Sequence, residues 1–259
     1  MLVLSLAASV FAVLLLRPSA QSTRARGAAA TGGTTALATL GAGPSPAFSP
    51  GRPQLLRHAT TTSWWAPIAH QVGARRTPGG ASVATLTTST PEGTTNLVLV
   101  LGSARTRGVE WVHVRLPVLP NNTTGWIPRW ALGGYHFVTT HLVVDVRRLR
   151  ATLWKDGHVV FSAPVGVGQS QSPTPRGEFY VRDELTDYAS PFYGPVAFGT
   201  SARSAVLTEW PDGGFVGIHG TNQPGLIPGR VSHGCIRLRN RDILRLAKLM
   251  PVGTSLTIE

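Results

Sequence analysis

The chain has 259 residues, more than one small core requires, and its 42% apolar content supports globular packing, so one medium domain with a smaller one is expected. With 24 basic against 12 acidic residues the formal charge is +12, which attracts polyanions such as nucleic acid, anionic lipid or an anionic cell-wall polymer. The basic residues are scattered and no zinc-finger, helix-turn-helix or RNA-binding motif accompanies them, which argues against a nucleic-acid partner, and a single cysteine, Cys235, excludes an intramolecular disulfide.

Residues 1–16 form an uncharged apolar run ending at Arg17. The run is shorter than the ~20 residues that cross a bilayer and suits the hydrophobic region of a signal peptide. Residues 1–21 are therefore expected to direct export or to anchor the chain outside the cytoplasm, with membrane contact confined to this segment if it is retained. No Lys or Arg precedes the run, a departure from the usual signal peptide, and no cysteine follows it to carry a lipid. Residues 22–58 are rich in Ala, Gly, Thr and Pro and read as a flexible linker. A segment of that length and composition has a mean reach of about 30 Å.

Over residues 59–135, short β-prone runs begin at Ser82, Asn96, Glu110 and Gly125, separated by turn residues, and predict a small β-barrel of four or five strands. Its ending, Gly125-Trp126-Ile127-Pro128-Arg129-Trp130-Ala131-Leu132, resembles the closing strands of bacterial Src-homology-three-like barrels found beside cell-wall enzymes. Trp126 and Trp130 are expected to close the barrel core rather than to stack on a ligand. The Asn121-Asn122-Thr123-Thr124 stretch reads as a loop.

From 137 to 259 the pattern is again strand-rich. A strand at 141–146 is followed by a hairpin in which Asp156-Gly157 supplies the positive φ of a tight primed turn. Residues 164–168 continue as a strand, and Thr174-Pro175-Arg176-Gly177 forms a turn leading into the next one. Residues 183–195, with Tyr188, Phe192 and Tyr193, form either a flap over a cleft or a surface loop. Asn240 is placed as the N-cap of a helix over 241–250, with Ile243, Leu246 and Ala247 on one face and Pro251 as its stop. Residues 255–258 close the domain as a strand. The expected fold is thus mainly β, a small β-barrel followed by a strand-rich domain with one packed helix.

The chemistry concentrates at 215–240, which holds the lone cysteine and two of the eight histidines. A thiol reacts as thiolate, and imidazole is the usual base that supplies it. His233 and Cys235 are two apart, so an extended backbone places both on one face, while His219 arrives from the preceding strand. Gly217, Gly220 and Gly234 leave room for a substrate, and backbone N–H groups of Gly234 and Cys235 are the expected oxyanion donors. An inert buried thiol and a zinc site from His219, His233 and Cys235 are competing readings. Against zinc stand the unusual His-x-Cys spacing and the lack of a carboxylate in the stretch, and neither metal nor cofactor is expected.

Ile218-His219-Gly220-Thr221, then Ser232-His233-Gly234-Cys235-Ile236-Arg237-Leu238, with Thr174-Pro175-Arg176-Gly177-Glu178-Phe179 upstream, resemble the L,D-transpeptidase family with the YkuD-type catalytic domain. The resemblance covers 137–259 and implies a β-sandwich-like catalytic domain acting on peptidoglycan stem peptides outside the cytoplasmic membrane. It implies Cys235 as nucleophile attacking the carbonyl between the third residue of a donor tetrapeptide and its terminal D-alanine. His219 then carries the proton, oriented by a backbone carbonyl such as that of Gly220, with His233 and Gly234 in the pocket. Gly220, Thr221, Ser232, Arg237 and Tyr193 complete the expected substrate-contacting set, Ser232 acting as a hydrogen-bonding residue rather than a second nucleophile. Arg237 either grips a substrate carboxylate or anchors the helix through Asp242. Trimming by an L,D-carboxypeptidase and a non-catalytic wall-binding protein are the alternatives.

Overall fold

β-Branched and aromatic runs closed by Gly, Pro, Asn and Asp form strands through most of the described residues. The computed structural model describes residues 62–186, 190–208 and 214–259. The expected export segment, the linker and Tyr188 lie outside the described residues. Strands β1 (Ser63–Pro67), β2 (Val72–Arg75), β3 (Ser82–Leu86), β4 (Leu97–Thr106), β5 (Val109–Arg115), β6 (Thr124–Pro128) and β7 (His136–Val138) build a seven-stranded sheet in the order β3-β2-β6-β5-β4-β1-β7. It curls around Ala66, Val98, Val112, Val114 and Ile127, all fully buried. Three of its strands, β1, β2 and β7, carry too few β-branched residues to be read from the sequence. Because β7 pairs with β1, this sheet runs to Val138, past the boundary expected at 135.

The expected closing strand at 125–132 stops at Pro128, and Arg129–Ala131 forms a single 3₁₀ turn instead. Neither tryptophan closes the core. Trp130 is 62% exposed and tilts against His70, while Trp126 is half-buried and stacks on His113 with ring centroids 4.7 Å apart.

The second sheet holds β8 (Thr140–Asp145), β9 (Arg150–Lys155), β10 (His158–Pro164), β11 (Gly166–Gly168), β12 (Gly177–Leu185), β13 (Ala197–Arg203), β14 (Phe215–His219), β15 (Gly229–Ser232), β16 (Ile236–Arg237) and β17 (Ser255–Ile258). Its ten strands run β10-β9-β8-β17-β12-β13-β14-β16-β11-β15. The long strand β12 makes the sandwich: Gly177 to Tyr180 pair with β17, whereas Val181 to Leu185 pair with β13. The two halves of the sheet fold over one apolar core that includes Leu142, Leu153, Phe161, Phe179, Phe198 and Ile236. The β9–β10 hairpin turns at Asp156 and Gly157 with φ of 51° and 78°, the primed geometry expected of that dipeptide.

Helix α1 (Asn240–Ala247) packs Ile243 and Leu246 on that core, with Asp242 in its first turn where a carboxylate complements the exposed N–H groups. Asn240 is not its cap: the N-cap position is Arg239, no side chain caps the helix, and the Asn240 carbonyl is used elsewhere.

All described residues belong to one compact unit, and the two sheets are fastened to each other. Leu97 and Leu99 of β4 pack on Tyr180 of β12, whose hydroxyl donates to Leu97 O at 3.1 Å. The Asn121-Asn122 loop is a clamp rather than a plain surface loop. Asn121 exchanges two hydrogen bonds with the Arg203 backbone, at 2.7 and 3.0 Å, and Asn122 Oδ1 accepts the Glu178 N–H at 2.7 Å.

Candidate active site

The site is assembled where β14 and β16 lie side by side in parallel, with Ile218 opposite Ile236 and His219 opposite Arg237. One residue earlier on each strand, Gly217 faces Cys235, and the Gly217 N–H donates to Cys235 Sγ at 3.4 Å. A methyl group on Gly217 would stand 3.8 Å from His219 Cδ2 and 4.0 Å from Cys235 Sγ. Thiol and imidazole therefore border the same space, the one left by the missing Gly217 side chain.

His219 is 3% exposed and donates from Nδ1 to Gly220 O at 2.6 Å. That bond fixes the tautomer and leaves Nε2 as the proton acceptor. The sequence-based expectation of a backbone carbonyl in place of a carboxylate partner holds at this position. Burial pushes the imidazole down to about 4, the Gly220 hydrogen bond opposes this, and the Arg237 charge adds to it. Burial likewise pushes the Cys235 thiol up, against the Gly217 N–H and Arg237, which both favour the thiolate. Both shifts oppose a thiolate–imidazolium pair formed in advance.

His233-Gly234 is a bend, not extended backbone, and Gly234 adopts φ of 122°. The shared-face argument for His233 and Cys235 therefore fails; His233 is exposed and reaches the cleft from the bend. The bend is held from inside. Ser232, fully buried, donates from Oγ to Cys235 O at 2.6 Å and accepts the Gly234 N–H at 3.1 Å. Thr174 Oγ1 donates to Gly234 O at 2.7 Å and accepts the Gly168 N–H at 2.8 Å. Ser232 thus braces the bend from inside and is not among the residues that line the cleft, and the Gly234 N–H is already spent, which removes it from the expected oxyanion pair.

Cys235, His219, His233 and Arg237 line one cleft of about 420 Å³, together with Tyr193, Phe215 and, from the amino-terminal sheet, Glu92. Tyr193 sits in a 3₁₀ turn, Pro191–Tyr193, with its ring 4.7 Å from that of His219, so this part of the 183–195 segment borders the cleft. Arg237 donates to Val231 O at 3.5 Å, while Asp242 pairs only with its exposed helix neighbour Arg241 at 3.7 Å, so of the two roles open to Arg237 the helix anchor through Asp242 is not formed among the described residues. Thr221 is buried, with its N–H given to Asn240 Oδ1 at 2.8 Å and its hydroxyl accepting from Gln223 N, which makes it and Asn240 supports of the His219-Gly220 corner. Gly220 acts through its carbonyl. The residues missed from sequence are Thr174 as a brace, Asn240 as a corner support and Glu92 in the cleft wall; only Thr174 left a signal, its place in the Thr-Pro-Arg-Gly turn.

Residues 139–258 match the L,D-transpeptidase catalytic domain known as YkuD. The chain is 35% identical over 118 residues to YkuD of Bacillus subtilis, itself assigned to the L,D-transpeptidases, in an alignment taking in 46% of this chain and 65% of that protein. It thus spans just under two thirds of that relative's length. It is 30% identical over 140 residues to YqjB of the same organism, also assigned to the L,D-transpeptidases, covering 51% of this chain and 78% of YqjB. Among solved structures, the catalytic domain of the E. faecium L,D-transpeptidase is 26% identical, covers 46% of this chain and 96% of that one, and superposes with a TM-score of 0.36. The match to YqjB, together with that to the catalytic-domain family over 139–258, shows that the chain belongs to the L,D-transpeptidase family.

Proposed function

We propose that the chain is a cysteine-dependent L,D-transpeptidase that acts on peptidoglycan stem peptides on the outer side of the cytoplasmic membrane. The observation that supports this reading best is the common space over Gly217 bordered by Cys235 Sγ and by an imidazole whose tautomer leaves Nε2 free to take a proton. In the first half-reaction Sγ attacks the carbonyl carbon of the third residue while His219 Nε2 takes the thiol proton. The oxyanion draws on the Cys235 N–H, the donor of the expected pair that the bend has not spent. Collapse breaks the C–N bond, the imidazolium proton passes to the departing D-alanine amine, and a thioester remains. In the second, an acceptor amine attacks the thioester, His219 accepts its proton, and the proton returns to sulfur as the thiol leaves. In this reading Arg237 holds a substrate carboxylate, a role supported by its pairing opposite His219 and its position in the cleft lining.

The test is intact-mass analysis of the chain after incubation with a carbapenem and, separately, muropeptide analysis of product from a defined tetrapeptide. A covalent adduct on wild type that is absent from Cys235→Ala, with 3→3 cross-linked product, is expected. An adduct that survives the substitution refutes the nucleophile assignment, and a trimmed tripeptide as the only product replaces transfer with hydrolysis.

A further inference from the structure

One wall of the cleft comes from outside the catalytic sheet. Glu92 is the one acidic side chain among the described residues that line it, and the one lining residue from the amino-terminal sheet. It sits on the β3–β4 connection, in a turn closed by its own bonds: Thr90 N–H to Thr94 O at 2.9 Å, Gly93 N–H to Thr90 O at 3.0 Å, and the two threonine hydroxyls 2.7 Å apart. Thr94 Oγ1 docks this turn on Asp183 Oδ2 at 3.2 Å. The position of Glu92 is therefore set by a rigid turn seated on the catalytic sheet.

The Glu92 side chain is 12% exposed and takes a 2.8 Å hydrogen bond from Arg182 on Oε2, while Oε1 has no hydrogen bond among the described residues. Arg182, 2% exposed, faces a second carboxylate, Asp183, at 3.5 Å, so its charge is shared. Its guanidinium also lies 3.9 Å over the Phe215 ring. Phe215 is two residues from Gly217, about 7 Å along the strand. The cleft thus carries a cation, Arg237, beside the thiol and an anion, Glu92, farther along the same wall.

We propose that Glu92 is a specificity determinant that receives an ammonium group carried by the peptide substrate away from the scissile carbonyl, so that the amino-terminal sheet takes part in substrate selection. This rests on the peptide-substrate reading above. The ammonium belongs to the donor, as a side-chain amine on its third residue, or to the acceptor peptide.

The full chain carrying Cys235→Ala is titrated calorimetrically with a D-alanine-terminated tetrapeptide bearing a free side-chain amine and with its amine-acetylated form. A tripeptide pair tests the acceptor. Tighter binding of the free-amine form by about tenfold is expected for one pair, falling to within about twofold on adding Glu92→Gln and partly kept in Glu92→Asp. Lack of preference in the parent overturns the proposal whether or not the Glu92 variants fold. A preference kept in Glu92→Gln, equal weakening of both forms, or no binding of any peptide also overturns it. Turnover of the same tetrapeptide by wild type is scored separately: a Glu92-dependent preference without turnover sinks the transpeptidase reading alone, and turnover without that preference sinks the Glu92 assignment alone.

Discussion

Replacing Ser232 by Ala separates a brace from a substrate contact. The serine is fully buried, and its hydroxyl is the partner of Cys235 O at 2.6 Å and of the buried Gly234 N–H at 3.1 Å. Deleting it leaves one buried and one part-buried main-chain group without that partner, at about 1 to 3 kcal/mol for the buried one and less for the other, so a loss of about 2 to 4 kcal/mol is expected. For a chain this size that lowers Tm by about 5 to 15 °C, and urea unfolding should show a lower midpoint at unchanged slope. The bend that presents Cys235 loses one of its two braces, Thr174 remaining, so acylation of the thiol should slow at temperatures where the variant is still folded. Calorimetric melts and intact-mass acylation rates measure both effects. A variant of wild-type stability whose only defect is a raised KM would refute the bracing argument and restore Ser232 as a substrate contact.

The remaining predictions concern the space over Gly217. Because His219 is held neutral by burial down to about 4, the acid limb of the pH–rate profile should fall near pH 4 rather than near the ordinary imidazole value of 6.5. The same depression makes the unfolded state the better proton acceptor between those values, so stability is lost as pH is lowered, by about 3 kcal/mol from pH 7 to pH 4 in equilibrium unfolding. An acid limb near 6.5 would mean that another group, such as His233, carries the proton. In Gly217→Ala the new methyl makes only ordinary contacts, 3.5 Å to Phe198 O and 3.8 to 4.0 Å to the catalytic pair. The variant should melt like wild type yet lose turnover by about 100-fold, because the methyl occupies the space where the carbonyl must approach. Wild-type turnover would place the reacting carbonyl on another side of the thiol.

What the sequence made legible is what local chemistry decides. Asp156-Gly157 specifies its turn through the positive φ those residues tolerate, and Ile243 and Leu246 specify the buried face of α1 through their helical spacing. The His219–Gly220 bond was readable because donor and acceptor are adjacent in the chain. What escaped is what topology decides. Thr174 meets Gly234 across 60 positions, Asn122 meets Glu178 across 56 and Arg182 meets Glu92 across 90, pairings that no residue pattern announces before the strand order is known. Asn240 shows the competition: a good capping residue by type, it gives its carbonyl to Thr221 across 19 positions, and its helix goes without a side-chain cap. The pKa directions escaped for a related reason, since they follow from burial rather than from neighbours in sequence.

That burial sets how the catalytic pair works. Desolvation raises the thiol and lowers the imidazole at once, so an ion pair formed in advance is opposed from both sides. The forces favouring thiolate, the Gly217 N–H at 3.4 Å and the Arg237 charge, act on sulfur but also on the proton's destination, because the same arginine disfavours imidazolium. In the proposed mechanism, proton transfer then accompanies the bonding of Sγ to a carbonyl carbon, as charge moves from sulfur to oxygen. Until a substrate carbonyl is present, burial favours the neutral form of the Cys235 thiol, which is a poor target for oxidation.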